Sequence, residues 1–220
     1  MKIICIGWNY KPHLKELNGP LPEVPLVFLK PSTCMVHDGD DIVIPEGITN
    51  VQYECELALV FGKSGKDIPE EDALSYVSHI AVFNDVTARD MQNEYRKRGD
   101  AWSLAKGMDT FGPISDYVSV EGIDLSKLHL TLKVNGEVKQ DGCTSDMIFP
   151  PAKLISYVSR YMTIEKGDIM VTGTPEGVGQ IVPGDIVELE IEGLCRLTNK
   201  VVNPRTSCSS HTGPQRPVCP

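Results

Sequence analysis

Two glutamates in the segment YECELALVFG, residues 53–62, are the first candidates for chemistry in this chain. Glu54 and Glu56 are two residues apart, and residues i and i+2 of a β-strand point to the same face of a sheet. Two neighbouring carboxylates repel each other unless a cation joins them or water screens them. The pair alone is equally typical of a solvated strand face, so a third acidic residue is needed to predict a metal site.

The segment HIAVFNDVTARDMQ, residues 79–92, contains a candidate for that third residue. An apolar strand leads directly into Asp85, and a helical pattern follows. If the helix begins near Asp85, Arg89 and Gln92 lie four and seven residues later on one helical face. Three carboxylates without a histidine or a cysteine among them favour a hard divalent ion such as Mg²⁺ or Mn²⁺.

The segment NYKPHLKEL, residues 9–17, places His13 and Glu16 three residues apart. On a helix these two side chains are neighbours, and a carboxylate that orients an imidazole suits it to act as a general base. A lone histidine here is more often a surface or capping residue. Residues 11–25 contain four prolines and one glycine, which predicts a lid that is stiff in places and hinged in others.

Three further residues are candidates for substrate contact or catalysis. Lys106 is a lone lysine among small and apolar residues in SLAKGMD, although most lysines are simply solvated. The glycine-rich segment TGTPEGVG, residues 172–179, could bring backbone N–H groups and the Thr174 hydroxyl close to an anion, or it could be an ordinary turn. Lys30 in FLKPST is a weaker candidate for the same role.

The pattern of the whole chain favours an α+β protein dominated by strands, without a regular alternation of strands and helices. Helices are predicted after Tyr10, over residues 85–98 and over residues 151–162. Asn135 and Gly136 form the pair that favours a tight hairpin turn. Eight segments are predicted as strands or hairpin arms: residues 1–7, 25–31, 41–47, 53–62, 79–85, 129–142, 167–173 and 184–193.

Taken in order, these segments resemble the fumarylacetoacetate hydrolase family, and in particular its short single-domain branch, which includes acylpyruvate hydrolases and oxaloacetate decarboxylases. The resemblance covers about residues 3–202. It is carried by CIGWNYKPHLKEL, PLVFLKPST, YECELALVFGK, NDVTARDMQ, WSLAKGMDTFGPI, LKVNGE, MIFPPAKLISYVS and GDIMVTGTPEGVG. It implies a β-dominated mixed roll with a few short helices, forming one catalytic domain over residues 1–202, with 11–25 as the lid. The family is usually homodimeric.

The resemblance also implies roles for individual residues. Mg²⁺ or Mn²⁺ would be held by Glu54, Glu56 and Asp85, and His13 with Glu16 would be the catalytic dyad. Lys106 would lie near the metal and stabilise a developing enolate, and the substrate contacts would be Arg89, Gln92, Thr174 and Lys30. In one departure from the family's pattern, Trp8 stands where many relatives carry a polar or basic residue.

The activity expected from this set is metal-dependent cleavage of a C–C bond in a short 2-oxo acid. If His13 activates water, the reaction is hydrolysis of an acylpyruvate or fumarylpyruvate. Loss of CO₂ from oxaloacetate would use the same enolate without attacking water. Two alternatives remain: an isomerase or decarboxylase of 2-hydroxymuconate-type diacids, and a non-enzymatic domain that binds a divalent ion.

Composition limits the possible partners and compartments. The net charge of −9 over 220 residues argues against nucleic-acid or membrane partners, which reward clustered lysine and arginine. The apolar run at residues 3–6 is too short for a signal peptide or a membrane span. Seven cysteines without a CxxC pair indicate a reducing cytoplasm. Residues 203–220, rich in Pro, Ser and Thr, are predicted to be a disordered tail.

Overall fold

The structure is a computed structural model that describes residues 1–16 and 19–204. Most of the predicted tail and a short part of the predicted lid therefore lie outside the described residues. Within them, the predicted β-dominated α+β fold is confirmed, with sixteen strands. In chain order they are β1 (Ile3–Gly7), β2 (Leu26–Lys30), β3 (Met35–Val36), β4 (Asp41–Val43), β5 (Val51–Tyr53), β6 (Cys55–Phe61), β7 (Val77–Asn84), β8 (Thr87–Ala88), β9 (Gly112–Pro113), β10 (Val118–Ser119), β11 (His129–Val134), β12 (Glu137–Cys143), β13 (Ile169–Val171), β14 (Gly179–Ile181), β15 (Ile186–Ile191) and β16 (Cys195–Val202).

The described part of the chain contains four α-helices, all of them short. They are α1 (Lys11–Glu16), α2 (Arg89–Arg98), α3 (Ser103–Lys106) and α4 (Pro151–Ser159). The α2 helix ends at Gly99, whose φ of 76° is the left-handed conformation that commonly caps a helix C-terminus. None of the described helices is long and apolar enough to cross a membrane.

The strands form two large sheets and two small ones. The six-stranded sheet has the order β10-β7-β6-β13-β1-β2, and the five-stranded sheet has the order β12-β11-β15-β16-β4. Pairing is mixed, because β1 and β13 run parallel whereas β6 is antiparallel to both β13 and β7. Asn135 and Gly136 both have positive φ values, 52° and 78°, and form the predicted turn between β11 and β12.

The central strand β6 is buried on both faces of its sheet. Leu57 and Leu59 point into the main core, which also contains Leu132 of the five-stranded sheet. Ala58 and Val60 point into a second, smaller core on the opposite face. Because both faces of β6 are buried, its sequence lacks the alternation of polar and apolar residues that a half-exposed strand shows. Charged side chains are therefore confined to the ends of the strand.

Two details of the predicted elements are wrong. Residues 53–62 do not form one strand, because Glu54 lies between β5 and β6 and belongs to neither. The helix predicted from Asp85 begins only at Arg89, since the chain first forms the short strand β8, which pairs with β5. Asp85 therefore lies in the two-residue connection between β7 and β8.

Candidate active site

A cavity of about 310 Å³ lies where the C-terminal end of β1, the β5–β6 junction and helices α1, α2 and α3 meet. This volume is at the lower end of the range of roughly 300–1,000 Å³ for small-molecule sites, so it suits a small ligand. Among the residues predicted as functional, nine of ten line the cavity: His13, Glu16, Glu54, Glu56, Asp85, Arg89, Gln92, Lys106 and Thr174.

Lys30 is the tenth predicted residue, and the structure gives it a different place. Its side chain is fully buried behind Asp85 and does not line the cavity. The Lys30 ammonium donates to Asp85 Oδ1 at 2.6 Å and to the Phe111 and Val86 carbonyl oxygens at 2.7 and 3.1 Å. With three acceptors bound, Lys30 orients Asp85 in this structure. Its predicted contact with substrate stays a prediction.

The backbone around Glu54 fixes both glutamates and the neighbouring aspartate. The Glu54 N–H donates to the Asn84 side-chain oxygen at 3.0 Å, and the Asp85 N–H donates to the Glu54 carbonyl oxygen at 2.9 Å. Cys55, between the two glutamates, points into the main core. Glu54 and Glu56 consequently share the cavity side, as the two-residue spacing predicts.

The carboxylates of Glu54, Glu56 and Asp85 converge at the inner end of the cavity. One oxygen from each lies within 4.8 Å of the others, and all three residues are buried. An octahedral Mg²⁺ or Mn²⁺ with ligands at about 2.1 Å places opposite oxygens about 4.2 Å apart, so small side-chain shifts would bring these oxygens onto one ion. The donor set, three carboxylates without nitrogen or sulfur, fits such a hard ion.

Two basic side chains compensate part of this negative charge. The Lys106 ammonium donates to Asp85 Oδ2 at 2.6 Å and to Glu54 Oε2 at 2.7 Å. The Arg89 guanidinium is bound to Glu54 Oε1, and it also donates to Gln52 Oε1 at 2.7 Å and to Gln92 Oε1 at 2.6 Å. Three of the five Arg89 N–H donors are thus bound by the protein itself.

The pKa shifts of Glu54 and Glu56 have opposite directions, because the two basic side chains form ion pairs with Glu54 but not with Glu56. Burial alone would raise the pKa of Glu54, but Lys106 and Arg89 outweigh it and hold that pKa far below its usual value. Burial raises the pKa of Glu56 well above its usual range, and the Asp85 and Glu54 carboxylates raise it further. Burial and the two neighbouring carboxylates thus disfavour a negative charge on Glu56, and a bound cation would offset this, which fits a metal site.

Gly173 holds Glu56 from the other side. Its N–H donates to Glu56 Oε2 at 2.7 Å. A Cβ atom at this position would lie 2.8 Å from the Asn9 Cβ and 3.2 Å from the Ile6 carbonyl oxygen, and the φ of 93° already disfavours any other residue. The glycine is needed here because the loop passes close to the segment after β1.

Gln140, on β12, connects this loop to the junction that carries the glutamates. Its Nε2 donates to the Thr174 hydroxyl at 2.8 Å and to the Pro175 carbonyl oxygen at 2.9 Å, while its Oε1 accepts from the Cys55 N–H at 2.9 Å. The Thr174 hydroxyl thus faces the cavity with its orientation set by Gln140. Nothing in the local sequence VKQDG indicates this role.

The predicted pair His13 and Glu16 lies on α1. His13 is buried, and its Nδ1 is 3.0 Å from Glu16 Oε2. Glu16 also accepts from the Gly177 N–H, at 3.3 and 3.4 Å to its two oxygens. Since Nδ1 faces the carboxylate, Nε2 is the ring nitrogen that remains for proton transfer.

The α2 helix presents one face to the cavity, and sequence reasoning found only part of it. Arg89 and Gln92 line the cavity as predicted, although the helix starts four residues later than expected. Asn93 and Arg96 complete an i, i+3, i+4, i+7 stripe on the same face. Continuing the helical period from Arg89 would have identified both.

This chain is similar to known proteins over most of its length. The model of the family described as "Fumarylacetoacetate (FAA) hydrolase C-terminal" matches residues 2–202. The chain belongs to the fumarylacetoacetate hydrolase family. The predicted family resemblance is therefore confirmed.

Three relatives show the range of activities in this family. The human mitochondrial oxaloacetate tautomerase FAHD1 is 45% identical over 203 residues, which is 92% of each chain. The fumarylpyruvate hydrolase of Pseudomonas aeruginosa, solved with Mn²⁺ and pyruvate, has a TM-score of 0.88 at 33% identity and covers 92% of this chain and 90% of its own. The 5-carboxymethyl-2-hydroxymuconate delta-isomerase of Mycobacterium smegmatis has a TM-score of 0.83 at 40% identity, with 92% and 78% covered. These members of the family are enzymes that act on small molecules, and one of them binds Mn²⁺.

Proposed function

We propose that this chain is a divalent-metal-dependent enzyme that cleaves a C–C bond in a short 2-oxo acid by way of an enolate. The observation that carries the proposal is the convergence of Glu54, Glu56 and Asp85 beside Lys106, in one cavity with the His13–Glu16 pair. A domain that merely binds an ion has no need of a buried lysine and a carboxylate-bound histidine in the same cavity.

Glu54, Glu56 and Asp85 are the residues that would hold the ion. Mg²⁺ or Mn²⁺ supplies Lewis-acid polarisation of the 2-oxo acid when bound. Lys106 adds a second cation. Burial tends to lower the Lys106 pKa, but Asp85 and Glu54 raise it above its usual value, so the ammonium stays protonated. It can therefore stabilise the negative charge that develops on an enolate oxygen.

His13 is proposed as the general base. The Glu16 carboxylate at Nδ1 favours the tautomer that leaves Nε2 free to accept a proton. If that proton comes from water, the hydroxide attacks the distal carbonyl and the reaction is hydrolysis of an acylpyruvate or a fumarylpyruvate. Decarboxylation of oxaloacetate needs Lys106 and the ion, but no attacking water.

A second candidate is keto–enol tautomerisation of oxaloacetate. It is favoured by the 45% identity to the human oxaloacetate tautomerase over nearly the whole chain. In this reaction His13 would remove a proton from the carbon next to the carbonyl, and the carbonyl oxygen would take up a proton to give the enol, without cleavage of a C–C bond.

The proposal is tested by offering purified protein with Mg²⁺ or Mn²⁺ three substrates: oxaloacetate, acetylpyruvate and fumarylpyruvate. Each reaction is followed by NMR, with and without EDTA. Cleavage products that disappear with EDTA support the proposal, and a faster keto–enol exchange without cleavage supports the tautomerase. No turnover of any of the three would favour the ion-binding alternative.

Replacing His13 by alanine separates hydrolysis from decarboxylation. His13→Ala should lower kcat for acylpyruvate hydrolysis about 10²–10⁴-fold, the usual contribution of a general base, and should spare most oxaloacetate decarboxylation. His37→Ala is the matched control, because His37 is exposed and outside the cavity. Equal loss of both activities in His13→Ala would show that the pair does more than activate water.

A further inference from the structure

Arg96 occupies the mouth of the cavity in an unusual setting. Its guanidinium carbon lies 5.3 Å from the centre of the Trp8 ring and 5.2 Å from the centre of the Trp102 ring. All three residues line the cavity and are partly buried. Two cation–π contacts restrict the guanidinium to this position and leave its N–H donors at the edge of the plane available.

The guanidinium of Arg96 has no carboxylate or amide acceptor among the described residues. Its neighbours on α2 differ from it in this respect. Arg89, two turns earlier, is held by Glu54, Gln52 and Gln92, and Arg98 is paired with Asp100 at 2.7 Å. Arg96 is therefore the arginine of this helix that lines the cavity without a side-chain acceptor among the described residues.

The two indoles are placed by the chain at some conformational cost. Trp8 has a φ of 57°, in the left-handed region that a bulky residue rarely adopts. Trp102 directly precedes α3, which carries Lys106, and its ring packs edge-on against Phe28 at 6.5 Å. A strained backbone and a packed ring thus maintain the cage around Arg96, which is consistent with a built binding position.

The electrostatic setting favours an anion at this point. Burial lowers the pKa of Arg96, and the positive charge of Arg89 lowers it further. A guanidinium nevertheless remains charged at neutral pH, so the position carries an unneutralised positive charge. The forked geometry of its donors matches a carboxylate.

We propose that Arg96 binds a second carboxylate, at the far end of the substrate, so that the site prefers 2-oxo dicarboxylic acids to the corresponding 2-oxo monocarboxylic acids. This inference rests on the proposed function, because it takes the 2-oxo acid end to lie at Glu54, Glu56 and Asp85. Arg96 is then a specificity-determining residue that takes no part in the bond-breaking step.

The spacing on α2 agrees with a short diacid. Arg89, which is bound to Glu54 at the inner end, and Arg96 are seven residues apart on one helical face, or about 10 Å along the axis at 1.5 Å per residue. Both side chains extend into a cavity of about 310 Å³. A chain of four to six carbons, with one end at the acidic cluster and the other at Arg96, is the kind of ligand that this span accommodates.

Two five-carbon acids that differ only at the far end test the inference: 2-oxoglutarate ends in a carboxylate and 2-oxopentanoate in a methyl group. Calorimetric titration of the Mg²⁺-loaded protein should show 2-oxoglutarate binding roughly tenfold tighter, the value of one charged hydrogen-bonded pair. Arg96→Gln should remove this preference, mainly by weakening 2-oxoglutarate, and Arg96→Lys should restore part of it. Arg98→Gln, which makes the same change of charge on the same helix, should leave the preference intact.

The possible failures are distinguishable. Equal affinity for the two acids in the unmodified protein, or a preference that survives Arg96→Gln, overturns the role of Arg96 and leaves the proposed function standing. A preference lost equally in Arg98→Gln also overturns it, because overall charge would then be the cause. If neither acid binds and oxalate does not bind either, the proposed function fails, and the inference fails with it. Unchanged circular dichroism and thermal unfolding of Arg96→Gln verify that the variant is folded.

Discussion

The inner end and the mouth of the cavity hold their charged groups by different means. At the inner end, Glu54, Asp85 and Lys106 are buried and joined by ion pairs of 2.6–2.7 Å. At the mouth, the Arg96 guanidinium lies against the Trp8 and Trp102 rings and forms no ion pair among the described residues. One region is fixed by directional hydrogen bonds, and the other by contacts that tolerate movement.

The difference matches the two tasks proposed for the cavity, which are stabilisation of the developing charge at the inner end and recognition of the substrate's far end at the mouth. Groups that stabilise developing charge are effective when they are already oriented, since reorientation during the reaction costs free energy. Groups that recognise the far end of a substrate can be held by less directional contacts, such as cation–π contacts. If such a group shifts by a few tenths of an ångström, the affinity changes but the reacting atoms stay in place. Substitutions at the inner end should therefore have larger effects on activity than substitutions at the mouth.

The largest effect is expected at the inner end, from Asp85→Asn. The change removes a proposed metal ligand together with the ion pairs to Lys30 and Lys106. We expect kcat/KM to fall on the order of 10³-fold, equivalent to about 4 kcal/mol of transition-state stabilisation, with loss of Mn²⁺ binding in a calorimetric titration. Asp90→Asn, an exposed acid on α2, is the control. A loss of less than tenfold in Asp85→Asn would show that the aspartate is not a ligand.

Gly173→Ala should have the next largest effect, through the support of Glu56. The new Cβ atom collides with Asn9, and the positive φ disfavours alanine, so we expect roughly 1–3 kcal/mol lower stability and a 10- to 100-fold lower activity. Gly122→Ala is a matched control, since Gly122 also has a positive φ, 77°, but has open space around its Cβ position. Thermal unfolding and kinetics of both variants check this. Equal losses would attribute the effect to backbone conformation alone.

Trp102→Leu tests the mouth and should have a smaller effect. Loss of one cation–π contact loosens Arg96, so KM should rise about three- to tenfold while kcat changes little. Tyr161→Leu, which removes an aromatic ring that is 70% exposed elsewhere on the surface, should change neither constant. A drop in kcat comparable to that of Asp85→Asn would contradict the separation of the two regions.

Asp168→Asn lies outside both regions and should change stability without changing activity. Burial tends to raise the pKa of Asp168, but hydrogen bonds from Lys2 and from the Glu165 N–H lower it below its usual value. A lowered pKa means that this stabilisation is present above about pH 4 and is lost as the pH falls through the pKa of the folded state. The two proteins should differ by about 2 kcal/mol in urea unfolding at pH 7, and much less near pH 2. A difference independent of pH would exclude the charge as its cause.

Features that depend on local spacing were predictable from the sequence. The shared side of Glu54 and Glu56 follows from strand geometry, and the contact of His13 with Glu16 follows from helix geometry. The alignment of Arg89 with Asp85 was expected for the wrong reason. The short strand β8 lies between them, and both side chains line the cavity while Arg89 binds Glu54.

Features that depend on topology could not be read from local patterns. Lys30 reaches Asp85 across 55 residues, Gln140 reaches Cys55 across 85, and Gly173 reaches Glu56 across 117. Gly173 reaches Glu56 because β13 pairs with β6, whereas Lys30 lies on β2 and Gln140 lies on β12 of the other large sheet. No periodicity within a segment encodes these neighbourhoods. A lysine or a glutamine on an exposed strand would have the same local sequence pattern, so the pattern does not reveal these contacts.

The loop from Gly173 to Gly177 also restricts how the chain can change in length. One of its N–H groups binds Glu56, and another, four residues later, binds Glu16. An inserted or deleted residue between the two glycines would move one donor by more than 3 Å, so one carboxylate would be released whichever way the loop adjusted. Insertions are therefore excluded from this stretch by geometry, even though it is a glycine-rich loop, the type of segment in which they are usually tolerated.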